Sequence, residues 1–92
     1  MPQPNRSLAR EALYEIIENQ IRDLAPQETK QTYDRLCSDG YSPEETMNLI
    51  SCVLTSELTD MLNEQRTFDE GRYAAALRTL PKLPWDDNDR IY

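Results

Sequence analysis

Gly40-Tyr41-Ser42-Pro43-Glu44-Glu45 precedes a run that continues to Glu64 without another glycine or proline. Ser42 is placed to cap free N–H groups, Pro43 fits a first helical position, and Glu45 can reach back to complete a capping box. The stretch therefore predicts a helix from Pro43 to about Glu64, roughly 30 Å long at 1.5 Å per residue. Met47, Ile50, Leu54, Leu58 and Met61 share one broad face of it, with Leu62 at the edge. Leu49 and Val53 project from a different side and stand next to each other. A helix with two apolar sides needs neighbours on both, from its own chain or from a second copy.

Working outward, Gly40 supplies the left-handed residue that ends a preceding helix. That second helix is predicted over Pro26 to Ser38, with a thin stripe of Thr29, Tyr33, Leu36 and Cys37. Such a helix covers one side of something else. Ahead of it, Leu13, Ile16, Ile17, Ile21 and Leu24 recur at helical spacing, against Glu11, Glu15, Glu18 and Arg22 on the other side. The first helix thus runs from Ser7 or Leu8 to Leu24, where Ala25-Pro26 ends it. Gln20 falls inside its apolar stripe, either as a boundary side chain or as a buried polar contact that fixes helix register. Asp69 is the N-cap expected for a fourth helix, and Phe68 before it can staple onto Tyr73. Tyr73, Ala74, Ala76, Leu77 and Leu80 form its buried face, and Pro81 stops it.

The fold class expected is all-α: a compact bundle of four helices with short connections, the third central, and an extended Leu83-Pro84-Trp85 segment packed against it. Residues 1–6 form a flexible lead-in, 7–85 the single domain, and 86–92 a flexible acidic tail. Leu13, Ile16, Ile17, Ile21 and Leu24 also match Ile50, Val53, Leu54, Leu58 and Met61 at constant offset. That echo fits two related helical hairpins or a shared amphipathic period.

Ninety-two residues with 10 Lys+Arg against 17 Asp+Glu give a formal charge of −7. A chain this short buries only roughly 60–65 % of its unfolded surface, so self-association would help it. The acidic sign opposes direct nucleic-acid binding and docking on an anionic membrane. It leaves room for a basic partner or for mimicry of nucleic acid. No apolar run reaches the ~18 residues of a membrane span, Met1-Pro2-Gln3-Pro4-Asn5 does not open a signal peptide, and a cytoplasmic location is expected. Cys37 and Cys52 are expected to be reduced and partly buried.

Chemistry is sparse. The chain has no histidine and 2 glycines, which leaves no base for a nucleophile and no phosphate-cradling loop. No catalytic residue, cofactor or metal is assigned, and the expectation is a protein that is not an enzyme. Glu18 and Glu57 on facing helices are the carboxylates a metal-binding alternative would use, although both are expected on solvated faces. What remains is apolar surface. Leu49, Val53, Leu83 and Trp85 are the candidate interaction residues, for a homodimer or a protein partner. Leu49 and Val53 have a competing reading as contacts to the fourth helix, and Trp85 as a cap over Leu80.

Ile17-Glu18-Asn19-Gln20, the Leu36…Gly40 helix end, Ser42-Pro43-Glu44-Glu45 and Phe68-Asp69…Tyr73…Leu77…Leu80 together resemble a family of small bacterial helical domains of unknown function. The resemblance covers most of residues 8–85 and implies a fold, without an activity. Its members often carry histidines where this chain has Tyr14 and Asn48, which invites metal binding for them and departs here.

Overall fold

Ser42 caps its helix as its place before Pro43 predicts. Its Oγ accepts from the Glu45 N–H at 3.0 Å, and the Glu45 carboxylate accepts from the Ser42 N–H at 2.9 Å. In the computed structural model, which describes residues 6–83, this opens α3 (Pro43–Glu64). The lead-in before Arg6, Trp85 and the 86–92 tail lie outside the described residues. The helix before it, α2 (Gln27–Ser38), ends on Gly40 at φ +108, where the Tyr41 N–H reaches back to the Leu36 carbonyl at 3.1 Å. That backbone conformation is open to glycine at little cost. Asp69 accepts from the Arg72 N–H at 3.0 Å to start α4 (Glu70–Thr79). Phe68 meets Tyr73 edge to face with ring centroids 5.3 Å apart, which is the staple expected. α1 (Arg6–Asp23) begins a residue ahead of Ser7.

Two helix ends use residues that sequence gives no reason to expect there. Leu24 after α1 and Gln65 after α3 both take left-handed backbone, at φ 55 and φ 54. Each lets the next N–H close the turn, Ala25 onto Gln20 and Arg66 onto Met61, both at 3.1 Å.

α2 and α3 both pack against each of the other helices, while α1 and α4 flank them without close backbone contact among the described residues. The third helix is central as expected, but it shares that place with α2. The thin stripe of α2 misled because its buried positions are Thr29, Thr32 and Leu36. The core joins Ile17, Leu36, Met47, Ile50, Val53, Leu54, Tyr73, Leu77 and Leu80. Full burial of one such side chain contributes about 1.5–3 kcal/mol relative to exposure.

Several expectations need correction. Ile16 is 40 % exposed and Leu24 55 %, so the α1 stripe is narrower than its spacing implied. Their counterparts in the echo differ: Val53 is 1 % exposed and Met61 half-buried. Ile17 and Leu54 are both buried and Ile21 and Leu58 both half-buried, so the echo is a shared period whose environments match only in part. Val53 is not an interaction residue either, because it sits in one cluster with Tyr73 and Leu77 of α4. Cys52 is exposed where partial burial was expected; Cys37 is half-buried, and both thiols are free.

Candidate functional site

An open groove of about 630 Å³ lies between α1, α2 and the start of α3. α1 contributes Tyr14, Glu18, Ile21 and Arg22, α2 contributes Tyr33, and α3 contributes Pro43, Glu44 and Met47. The helical repeat explains the set on α1, since positions 14, 18, 21 and 22 lie on one side of it. Tyr14, Ile21 and Tyr33 are half-buried and rest on the core, of which Met47 is a member. The groove is thus a part of the core surface that no further element covers among the described residues. Burial pushes the Tyr33 phenol up from its ordinary value, with Cys37 and Asp34 adding to it. Tyr14 spends its hydroxyl on the Asn48 Oδ1 at 3.0 Å, tying α1 to α3. Tyr14 and Asn48, the positions singled out by the family resemblance, are therefore partners in this fold.

Charge at the rim is unbalanced. Arg22 is held by Asp23, Nε to Oδ1 at 3.1 Å. Glu18 and Glu44 are exposed, and neither has an ion pair or side-chain hydrogen bond among the described residues.

A second polar constellation lies at the other end of α3. Glu57 is 5 % exposed, with Oε2 3.3 Å from the Arg72 Nε and Oε1 4.0 Å from the Arg66 Nη2. The second contact is too long for a hydrogen bond, and among the described residues neither of its two atoms has another hydrogen-bond partner. Arg72 also pairs with Asp60 at 2.7 Å, and Arg66 with Glu64. Burial raises the Glu57 carboxyl above its ordinary value; Arg72 pulls against the rise without cancelling it. The solvated face expected for Glu57 is overturned. A signal was present, because Ile50, Leu54, Glu57 and Met61 follow one apolar spacing. Glu18 stays exposed at the groove, ten positions of α3 away from Glu57 as Met47 marks it. The two carboxylates share no site, and among the described residues no three Asp, Glu, Cys or His side chains gather to hold a metal.

Of the residues picked from sequence as an interaction surface, Val53 is core, and Leu49 and Leu83 are half-buried against the core. Leu49 borders a smaller hollow with Tyr41, Glu45 and Asn48. Trp85 lies outside the described residues. With Val53 buried, the described members of this set do not make up the exposed patch expected on Leu49 and Val53. The groove was missed because its residues come from three helices, each of which reads alone as an ordinary amphipathic face.

No helix among the described residues is long and apolar enough to cross a membrane. No family model, curated protein or solved structure matches the chain.

Proposed function

We propose that the chain is a cytoplasmic, non-enzymatic interaction module that docks a protein partner in the groove between α1, α2 and the start of α3. The observation that carries this reading is the groove itself: about 630 Å³ of open space over Tyr14, Ile21, Tyr33 and Met47. Its size falls within the range of pockets that take ligands or interface anchors, and tyrosine and methionine are residues that interfaces favour. The patch first expected on Leu49 and Val53 gives way to this one, since Val53 is buried within its own fold.

Site-specific photo-cross-linking tests the proposal. A benzophenone side chain in place of Arg22, exposed at the rim, is expected to give a discrete adduct in cells. The same group in place of Gln31, exposed on α2 and outside the groove, is expected to give none. An adduct of twice the chain mass identifies a homodimer, and any other mass a distinct partner. Equal adducts from both positions, or none from Arg22, would sink the reading.

A further inference from the structure

We infer that the occupant of this groove is a basic, amphipathic helix presented by a partner protein. The inference rests on the docking reading above and adds the chemistry of what docks. The walls are helices, and the ridge of a further helix fits between such walls by the same packing that joins the four already present. The described residues form no strand, so no sheet edge is on offer for an extended peptide.

Charge decides the class. Glu18 stands on the α1 wall and Glu44 on the α3 wall, both exposed and both without an ionic partner among the described residues. The one cation of the lining, Arg22, is engaged by Asp23 at 3.1 Å. An apolar floor is thus bordered on two sides by free carboxylates. A helix with leucine-like residues at i, i+3, i+4 and i+7 and lysine or arginine beside them satisfies both features. A second copy of the chain, at −7, brings the wrong sign.

The test uses the whole protein, labelled with ¹⁵N, and three synthetic helices of roughly four turns. All three carry leucine on one face; the other face is lysine, glutamine or glutamate. With the Leu/Lys helix, amide shifts are expected to concentrate at Tyr14, Ile21, Tyr33 and Met47. The Leu/Glu helix should bind at least about tenfold more weakly, a difference of about 1.4 kcal/mol. Glu18→Lys with Glu44→Lys, both on exposed side chains, should reverse that order while the spectrum keeps its dispersion. Equal affinity of the Leu/Gln and Leu/Lys helices at the groove would overturn the basic class and leave the docking reading standing. Shifts scattered over the acidic surface, or no groove shift with any helix, would overturn both.

Discussion

Gln20 shows what a single side chain settles in this fold. Its Oε1 accepts from the Thr29 hydroxyl and from the Tyr73 hydroxyl, each at 2.8 Å, so one amide joins α1, α2 and α4. Tyr73 is fully buried, and that burial pushes its phenol up to about 12 while the neighbouring Thr29 and Gln20 side chains pull the other way. Tyr73→Phe keeps the ring and the Phe68 contact but leaves Gln20 with one donor. It should cost about 1 kcal/mol in urea unfolding, and an unchanged midpoint would show the bond to be idle. Backbone strain at Gln65 points the other way. At φ 54 it occupies a region glycine enters freely, so Gln65→Gly is expected to raise stability by about 0.5–1 kcal/mol. A loss of stability there would mean that the longer side chain contributes more than the strain removes. Gln20 was legible, because a polar residue inside an apolar stripe asks for a partner. Gln65 was not, since nothing in its chemistry marks a left-handed position.

At the scale of elements, ends read better than faces. The start of α3 on Ser42 and of α4 on Asp69 follow from residues that cap in few other ways. The far end of α4 was recognisable only by Pro81, and carbonyls there find a partner 42 to 45 residues away. Arg35 of α2 donates to the Leu80 carbonyl at 2.7 Å and to the Leu77 carbonyl at 3.1 Å. One guanidinium thereby satisfies the Leu80 carbonyl, adds a donor to the Leu77 carbonyl that also accepts from the Leu80 N–H at 3.2 Å, and fastens α2 to α4. Arg35→Met keeps much of the stem and removes the donors. The expected cost is about 1.5–3 kcal/mol, the range for hydrogen bonds to a charged group. Amide exchange should rise first in α4; uniform acceleration across all helices would show instead that Arg35 supports the whole bundle equally. No local pattern announces such a bond, because its two halves are distant in sequence and Arg35 alone looks like a surface charge.

For the molecule as a whole, the fold class was legible because four amphipathic segments and their stops admit few other arrangements. Which polar side chains the assembly would bury was legible only in part: Glu57 shares the apolar spacing of Ile50, Leu54 and Met61, but nothing local tells that Arg66 and Arg72 would meet it. Its neighbours are charged on both sides: Arg72 and Arg66 favour its ionised form, while Asp60 and Asp69 oppose it. Burial is the largest influence, and the carboxyl is held above the ordinary 4.5. The folded state therefore binds the Glu57 proton more tightly than the unfolded state does. The contribution of this group to stability is fully present below about 4.5 and is lost as pH rises through its folded value. Glutamine at this position does not titrate. The stability of Glu57→Gln relative to the natural protein should accordingly grow as pH is raised from about 4.5 towards neutrality. Glu64 slopes the opposite way in both proteins, since its hydrogen bond from Arg66 lowers its value. The quantity to measure is thus the difference between the two urea-unfolding curves at each pH. A difference that stays flat would mean that the arginines hold Glu57 ionised in the folded state as readily as water does in the unfolded one. A difference that falls with pH would mean that the α3–α4 pairing outweighs burial and makes Glu57 a net attachment point between those helices.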